Sequence, residues 1–537
     1  MGSYGLEKTQ TVVQEQAAAV ASVRAERLVR TAWLERDEAL VCAFALTACV
    51  VHVLLDGRYG YFRDELYYAA CGQHLAWGYV DQAPLIAVVA RLTRAMFGDS
   101  LYALRIFPAL SAGVKIVLAG WIVRELGGRR YAQLLTATAM LFCPIYLTMD
   151  SFLSMNSFEP VFWMFCAALA LRIVRTGNQR LWPLFGLAAG IGILNKHSML
   201  LFGFGFFLAL LVTQQRRQLA QPWIWLGGLI AFVIFLPNLL WEIQNHWPTL
   251  EILRNVDRIK NVHVSWIEFI AQQALLVHPL GAPICLAGLW YFLRSRDGAA
   301  YRFLGWTYLF ILLELLVFRG RIYYLAPAYP MLFAAGGVAI EAWIAARETN
   351  WMKTAILAPL VAGGIIAAPL ALPILPLDAA AAYANFWDVK RVRVESEPSG
   401  KLPQLYADMM GWQEQVQVVA SVFRSLSVED QQKAAILARN YGEAGAVDSF
   451  GPTYGLPRAI SGHNNYYLWG PQQSSGELVI SIGIPAEDLR PLFGQIELAA
   501  TIENEYAVPN ENDLPVYICR QPRMPLLAAW PRLKFYG

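Results

Sequence analysis

The sequence has little charge for its length. Only 15% of its 537 residues are charged, whereas 57% are hydrophobic. A soluble protein carries about 25% charged residues, so the composition excludes an ordinary soluble enzyme and indicates a polytopic membrane protein. The 43 basic and 40 acidic residues give a net charge of only +3. Such a balanced chain gives no reason to expect nucleic acid as a partner.

Cysteine is also scarce and its spacing is not that of a metal or disulfide site. The seven cysteines include no CxxC pair and lie mostly in apolar stretches, so they are expected to act as small core residues. A divalent metal held by Asp64, Glu65, Asp150 and a histidine such as His74 or His263 is an alternative that no ligand spacing supports. We therefore predict no metal site and no required cofactor.

The first 40 residues lack the features of a processed or lipidated terminus. They are too weakly apolar for a cleaved signal peptide, and Leu6 departs from the myristoylation pattern. We expect residues 1–36 to form a cytoplasmic helical segment. The apolar segment that follows is expected to stay in the protein as a signal anchor.

Apolar segments long enough to cross a bilayer, about 20 residues, recur along the first 376 residues. We predict about eleven spans, near residues 38–56, 104–123, 131–149, 157–175, 181–196, 198–213, 223–241, 265–293, 303–318, 322–345 and 353–373. Basic residues precede the first span and fill every second loop, as in VRELGGRR and RSRDGAAYR. The positive-inside rule makes those loops cytoplasmic. The loop 56–103 and the C-terminal part then face the periplasm of a bacterial inner membrane.

The sequence changes character at about residue 377. Helical stretches alternate with short apolar runs such as ELVISIG, separated by Gly, Pro and Asn, which is typical of a small α/β domain. The predicted fold class is therefore a polytopic α-helical membrane protein, residues 37–376, with a soluble C-terminal α/β domain, residues 377–537.

The loop 56–103 contains charged residues close to apolar segments of the sequence. The stretch GYFRDELYYA contains Arg63, Asp64 and Glu65, and Asp81 and Gln82 follow. The apolar spacing between residues 84 and 97 predicts an amphipathic helix in the membrane interface.

Further polar and aromatic residues are expected at the same membrane face. They are Asp150, Lys196, His197, Arg254, Arg258, Arg319, Arg321, Tyr323 and Tyr324. Ionisable groups at this depth indicate a functional site by default. A carboxylate can accept the proton of an attacking hydroxyl or amine, and cations can stabilise a departing phosphate. Aromatic faces suit sugar rings, so the set predicts transfer of a sugar from a lipid phosphate.

Structural explanations are open for several of these groups. Asp64 could pair with Arg63, Glu65 could form a structural salt bridge, and Asp150 could cap a helix. The arginines that flank spans could extend to the interface, and the tyrosine pair could belong to an aromatic belt.

Four ordered stretches carry a family resemblance. YFRDELYYAACGQHLAWGYVDQAPL, MDSFLSMN, RGRIYYLAPAYPMLFAAG and SGHNNYYLWGP resemble the bacterial protein-mannosyltransferase-like glycosyltransferases of the GT-C superfamily, which are related to the aminoarabinose transferase of lipid A. The resemblance covers nearly the whole chain. It implies a GT-C-type membrane fold and an inverting transferase whose donor is a polyprenyl-phosphate-linked sugar.

The resemblance also implies roles for individual residues. Asp64 and Glu65 match the family's Asp-Glu pair, in which the aspartate is the base, and Asp150 matches a second outer aspartate. Lys196 matches a lysine that contacts the donor phosphate in the aminoarabinose branch, and either Arg254 or Arg258 matches a phosphate-binding arginine.

The candidate residues fall into three groups. The catalytic candidates are Asp64, Glu65 and Asp150. The donor phosphate-binding candidates are Lys196, Arg254, Arg258, Arg319 and Arg321. The substrate-binding candidates are Arg63, Tyr67, Asp81, Gln82, His197, Tyr323, Tyr324, His463 and Asn464.

The expected partners are a polyprenyl-phosphate sugar donor, the lipid bilayer, and a glycan, lipid or protein acceptor. The aminoarabinose enzymes have a Glu-Lys pair before the proline of the first loop, whereas this chain has Asp81-Gln82-Ala83-Pro84, so the sugar and the acceptor stay open. A ligase or polymerase of lipid-linked glycans and a non-enzymatic lipid or solute transporter are the alternative functions.

Overall fold

The computed structural model of the protein describes residues 37–259, 262, 264–388 and 400–537. The predicted N-terminal segment 1–36 and His263 lie outside the described residues. The part before residue 377 is helical. Its helices are α1 Asp37–Leu55, α2 Arg63–Gln73, α3 Leu85–Phe97, α4 Leu101–Glu125, α5 Arg130–Leu141, α6 Pro144–Met149, α7 Met155–Thr176, α8 Trp182–Asn195, α9 Met199–Leu211, α10 Pro222–Gln244, α11 Pro248–Ile259, α12 Trp266–Leu276, α13 Ala282–Arg294, α14 Arg302–Val317, α15 Tyr329–Arg347 and α16 Trp351–Ala371.

Seven of the described helices are long and apolar enough to cross a membrane, and a bent pair, Met199–Leu211 with Gln214–Ala220, could supply an eighth. The seven are α1, α4, α7, α10, α16 and two helices that begin with a 3₁₀ turn, Ala299–Val317 and Ile322–Arg347. The chain is therefore a multi-pass membrane protein. The predicted count of eleven spans is not confirmed.

Breaks in the apolar segments explain the lower count. The segment 131–149 divides between α5 and α6 at Pro144, because proline lacks an N–H and disfavours helix in the residue before it. The segment 265–293 divides at a turn around His278, which has φ 73° and precedes a proline. The helices α8 and α9 have 14 and 13 residues, which is fewer than the roughly 20 that span hydrocarbon.

The shorter helices nevertheless pack tightly against long ones through glycine. A Cβ atom on Gly186 of α8 would lie 2.0 Å from the carbonyl oxygen of Gly227 in α10. A Cβ atom on Gly288 of α13 would lie 2.0 Å from the carbonyl oxygen of Leu332 in α15. Small residues let membrane helices approach backbone to backbone, so these two pairs are packed units of the helical bundle.

The loop between α1 and α4 folds into two helices. The predicted amphipathic helix is present as α3, which buries Ile86, Ala87 and Ala90. Its partner is α2, where a Cβ atom on Gly72 would lie 3.1 Å from the carbonyl oxygen of Ala87. Arg91 extends from α3 and donates a hydrogen bond to the carbonyl of Gly72, 3.2 Å away. The helix α3 therefore supports α2, which carries Asp64.

The C-terminal part is a small α/β domain, as predicted. Its strands form one sheet in the order β2-β1-β3-β5-β4. The strands β1, β2 and β3 are parallel, and β5 is antiparallel to β3 and β4. The elements are α17 Leu377–Phe386, α18 Gln404–Ala407, α19 Trp412–Ser425, α20 Val428–Lys433, β1 Ala434–Ala438, α21 Tyr441–Phe450, β2 Ala459–Ser461, α22 Asn464–Trp469, β3 Leu478–Ile482, α23 Ala486–Leu489, β4 Phe493–Ile502, β5 Leu514–Pro522 and α24 Leu526–Ala529.

This domain packs directly on the loop that carries the predicted residues. Leu66 and Tyr67 of α2 share one buried apolar cluster with Tyr441 and Val447 of α21. A Cβ atom on Gly445 would lie 2.9 Å from the backbone of Leu66, so no larger residue fits where the two helices cross.

Candidate active site

Asp64 lies in the first turn of α2, where the helix dipole favours a carboxylate. Its Oδ1 atom accepts a hydrogen bond from the Tyr441 hydroxyl, 2.8 Å away. The Arg63 Nε atom is 4.0 Å from the same oxygen, whereas the Arg63 Nη1 atom is 3.5 Å from Asp408. The Asp64 side chain is 31% exposed. Its carboxylate is therefore held by the C-terminal domain and stays accessible.

Glu65 is in a different position, inside the protein. Its side chain is 0% exposed and accepts two hydrogen bonds from Arg105 of α4, at 2.9 Å and 2.7 Å. The backbone N–H groups of Leu153 and Phe62 donate to the same carboxylate, at 2.7 Å and 2.8 Å. The salt-bridge alternative raised for Glu65 is confirmed. The pair fastens α2 to α4 and to the turn between α6 and α7.

Asp150 also has a buried basic partner. The Lys115 Nζ atom of α4 lies 2.5 Å from Asp150 Oδ1, and both side chains are at most 2% exposed. The Lys115 ammonium also lies 5.1 Å from the centroid of the Tyr146 ring. A small cavity beside the pair is lined by apolar residues and by His52. Asp150 is therefore an internal charge, and its predicted catalytic role stays a prediction.

The Glu65–Arg105 pair gives a prediction for stability. Arg105→Met should lower the free energy of unfolding by about 3–5 kcal/mol, because it leaves a fully buried carboxylate without its cation. Denaturant or thermal unfolding in detergent measures the change. Arg124→Met is the matched control, because Arg124 lies in the same helix and pairs with Glu38 near the surface; we expect a change of about 0–1 kcal/mol there. Equal stability of the two variants would contradict a structural role for Arg105.

Lys196 lies where α8 ends and α9 has not yet begun. Its Nζ atom donates to Asn156 Oδ1 at 2.7 Å and to Glu159 Oε2 at 2.9 Å. The ammonium also lies 4.4 Å from the centroid of the Tyr324 ring and 5.6 Å from that of Tyr323. We call these five residues the lysine cluster. The Lys196 side chain is 12% exposed, so the charge is largely surrounded by polar atoms and π faces.

Most of the other predicted basic residues are more exposed than Lys196. Arg321 Nη1 is 3.4 Å from the Tyr323 hydroxyl, which places Arg321 next to the lysine cluster. Arg319 is exposed and has φ 51°. Arg254 and Arg258 are exposed on α11. The structure therefore places Arg321 and the tyrosine pair next to Lys196, while the two arginines of α11 are exposed on the surface.

A chain of hydrogen bonds connects the lysine cluster to the first loop. His197 Nε2 is 2.9 Å from Asn238 Oδ1, and Asn238 Nδ2 donates to the Trp77 carbonyl at 2.7 Å. The Asn238 side chain is fully buried. The His197 side chain thus fastens the α8–α9 junction to α10 and to the loop, and the sequence offered no sign of this link.

The substrate-binding candidates of the first loop and the C-terminal domain meet in one buried network. Asp81 accepts from the Tyr67 hydroxyl at 2.9 Å and from Asn464 Nδ2 at 3.0 Å. His463 Nε2 lies 2.9 Å from the Gly537 carbonyl oxygen. Burial, together with the neighbouring Asp81 carboxylate, holds the pKa of Tyr67 well above its usual range, so the hydroxyl remains a donor. Asn464 therefore joins the domain to the loop, whereas His463 contacts the C-terminal residue of its own domain.

Gln82 is buried beside this network, with 3% of its surface exposed. Neither its side-chain oxygen nor its nitrogen has a hydrogen-bond partner among the described residues. Among those same residues, no group of three or more His, Cys, Asp or Glu side chains could hold a metal ion.

The predicted residues thus divide into an accessible set and an internal set. Asp64, Lys196, Arg321 and the tyrosine pair retain exposed surface. Glu65 and Asp150 are neutralised by Arg105 and Lys115, which the sequence analysis missed. The available signal for these partners was an apolar segment that contains one arginine and one lysine, because buried cations require acidic partners. The accessible set offers a proton acceptor and an ammonium group, which are the two charges that glycosyl transfer from a phosphate requires.

Comparison with known proteins gives matches of the expected kind. Residues 81–241 match the family model described as dolichyl-phosphate-mannose-protein mannosyltransferase. The chain is 24% identical over 320 residues to the lipid A galacturonosyltransferase RgtD of Rhizobium johnstonii, a match that covers 57% of this chain and 60% of that relative. It is 27% identical over 159 residues to undecaprenyl phosphate-alpha-4-amino-4-deoxy-L-arabinose arabinosyl transferase 1 of Pseudomonas fluorescens, covering 28% of each chain.

The fold is shared over most of the chain with a solved structure. Apo ArnT from Cupriavidus metallidurans superposes with a TM-score of 0.60 at 17% identity, over 91% of this chain and 98% of that protein. The same protein bound to undecaprenyl phosphate gives a TM-score of 0.57 at 15% identity, over 89% and 97%. The resemblance to the GT-C glycosyltransferases is therefore confirmed, and the membrane part has the GT-C fold.

Proposed function

We propose that this protein is a membrane glycosyltransferase that moves a sugar from a polyprenyl-phosphate-linked donor to an acceptor, with inversion at the anomeric carbon. The observation that carries the proposal is the accessible carboxylate of Asp64, which a hydrogen bond fixes and which contacts link to the lysine cluster. One short segment of the chain connects the two. The backbone N–H of Leu153 donates to Glu65, the neighbour of Asp64, and three residues later the Asn156 side chain accepts from Lys196.

In the proposed reaction Asp64 is the base. Its free carboxylate oxygen accepts the proton of the acceptor hydroxyl or amine as that group attacks the anomeric carbon. The bond between the anomeric carbon and the phosphate oxygen breaks, and the electron pair leaves with the polyprenyl phosphate. One base and one displacement give inversion.

Lys196 stabilises the phosphate that leaves. The ammonium is already oriented by Asn156 and Glu159 and needs little rearrangement when negative charge develops on the phosphate. Arg321 is positioned to add a second cation, and Arg254, Arg258 and Arg319 can attract the lipid phosphate from exposed positions. Tyr323 and Tyr324 would contact the sugar or the first isoprene units.

The orientation follows from the basic loops. We propose that the N-terminus is cytoplasmic, that residues 37–376 form the catalytic membrane domain, and that residues 377–537 cover it on the periplasmic side. The donor would approach sideways from the bilayer and the acceptor from the opposite, aqueous side. Because one relative is a lipid A galacturonosyltransferase, lipid A is the first acceptor to test.

The test uses purified full-length protein in nanodiscs with a radiolabelled polyprenyl-phosphate sugar and lipid A. We expect free polyprenyl phosphate and labelled lipid A to appear together, in equal amounts. Mass analysis that finds one added sugar supports a transferase, whereas a polymer of repeats would indicate a polymerase. A donor that stays intact with every acceptor tried, although it binds, would contradict the proposal and favour a transporter.

A further inference from the structure

Tyr441 is the residue of the C-terminal domain that touches Asp64. It follows the N-cap of α21 and donates its hydroxyl to Asp64 Oδ1 at 2.8 Å, across a sequence separation of 377 residues. Its side chain is largely buried, with 6% of the residue exposed. The hydroxyl is thus the point at which the domain reaches the accessible carboxylate.

The ring of Tyr441 is fixed on several sides. Its centroid is 4.7 Å from that of Tyr67 and 4.9 Å from that of His463. The guanidinium carbon of Arg63 lies 5.8 Å from the ring centroid. The backbone N–H of Tyr441 is directed at His463 Nδ1, 3.4 Å away. A ring packed in this way holds its hydroxyl in one place.

The start of α21 is equally well fixed. Asn440 caps the helix by accepting from the backbone N–H groups of Gly442 and Glu443, at 2.8 Å and 3.0 Å. The fully buried Glu443 carboxylate accepts from the backbone N–H groups of Arg439 and Asn440, at 2.7 Å and 3.3 Å. Such a capping box fixes the backbone on both sides of Tyr441.

We propose that Tyr441 is a positioning residue for Asp64, so that the C-terminal domain completes the active site and is more than a cover. This inference rests on the proposed function. The hydroxyl fixes one carboxylate oxygen and leaves the other directed at the acceptor. Supporting groups of this kind determine how well a reactive side chain is oriented.

The domain contains a matched control pair. The Tyr466 hydroxyl donates to Asp448 Oδ2 at 2.9 Å, and both residues belong to the C-terminal domain. Like Tyr441, Tyr466 is buried and lies in the cluster shared with α2. Removing the hydroxyl of Tyr466 should therefore lower the stability of the domain as much as the same change at Tyr441, while leaving the hydrogen bond to Asp64 in place.

The experiment compares Tyr441→Phe with Tyr466→Phe in the full-length protein, using the transfer assay with the donor lipid. For Tyr441→Phe we expect kcat to fall by about 10- to 100-fold, the range of a hydrogen bond to a charged group, with the donor KM within about twofold. A fall in kcat at an unchanged donor KM is what a misplaced base produces, since an interaction made only in the transition state is lost. Tyr466→Phe should leave kcat unchanged while lowering the unfolding temperature about as much as Tyr441→Phe does.

Two results would overturn the inference. One is a Tyr441→Phe variant with the parent kcat, while Asp64→Asn is inactive; the proposed function would then stand without the inference. The other is an equal loss of kcat in both tyrosine variants, which would indicate a structural effect. If Tyr441→Phe does not accumulate as folded protein, Asn440→Ala loosens the same helix start, and a fall in kcat at an unchanged donor KM is expected. An active Asp64→Asn variant would instead remove the proposed function itself.

Discussion

Replacing Asp64 with asparagine is expected to lower kcat for sugar transfer by about 10²- to 10⁴-fold, the usual contribution of a general base. The amide cannot take a proton from the acceptor. The asparagine side chain has the same size as that of aspartate, and its carbonyl oxygen can still accept a hydrogen bond from the Tyr441 hydroxyl. The folded structure and the donor KM should therefore change little. Kinetics of the purified variant in the transfer assay measure both parameters.

A matched acid on the same loop serves as the control for Asp64. Asp99 is 71% exposed and pairs with Arg94 of α3, outside the proposed site. Asp99→Asn should keep kcat within about twofold, since surface ion pairs contribute little. Parent activity in Asp64→Asn would make the base assignment wrong.

The second large effect is expected at Lys196. Lys196→Met should lower kcat by about 10²- to 10³-fold, the effect of removing one group that stabilises a developing anion. Methionine keeps most of the length of the side chain but has no charge. The lysine cluster would then offer only neutral groups and Glu159 to the departing phosphate.

The ion pair between Lys196 and Glu159 offers a second explanation for a loss of activity, and a double variant separates the two explanations. Lys196→Met leaves the Glu159 carboxylate without its cation, so activity could be lost through repulsion of the phosphate alone. The double variant Lys196→Met with Glu159→Gln removes both charges. If Lys196 acts on the phosphate, the double variant stays at least tenfold below the parent. Full recovery would show that Lys196 only neutralises Glu159.

A lysine of the C-terminal domain provides the matched control for the loss of charge. Lys534 pairs with Glu251 at 2.8 Å and lies over the ring of Tyr536, 4.3 Å from its centroid. Lys534→Met removes a cation that also contacts an aromatic ring, but outside the lysine cluster. We expect its kcat to stay within about twofold of the parent.

Much of the architecture was predictable because local patterns determine it. The spacing of apolar residues between 84 and 97 predicted α3, and the alternation of helical and short apolar runs predicted the C-terminal α/β domain. Lys196, Tyr323 and Tyr324 were all expected at one membrane face, and the structure places the Lys196 ammonium next to both rings.

The partners of buried charges were not predictable. Glu65 meets Arg105, and Asp150 meets Lys115, 40 and 35 residues apart in the sequence. Which face of α4 points inward depends on how α4 packs against its neighbours, and one sequence does not reveal this. The predicted span count was not confirmed for a related reason, because hydropathy does not distinguish a helix that crosses the bilayer from two short helices separated by a proline.

The role of the SGHNNYYLWG stretch was also hidden from the sequence. Polar residues in a turn suit a glycan site and a structural junction equally well. Asn464 adopts φ 46° and bonds Asp81, and the Asn465 side chain accepts the backbone N–H of Val80 at 2.6 Å. Only the contact between domains reveals that these groups already have partners.

The packing of α21 on α2 has a consequence for biosynthesis. Until residue 441 has been synthesised, the apolar side of α2 is uncovered and Asp64 lacks the hydrogen bond from Tyr441. The membrane helices can insert during translation, but the first loop must wait for more than 300 further residues before it acquires its final neighbours. We therefore expect a chain that stops before α21 to lack transferase activity even when its membrane helices have inserted.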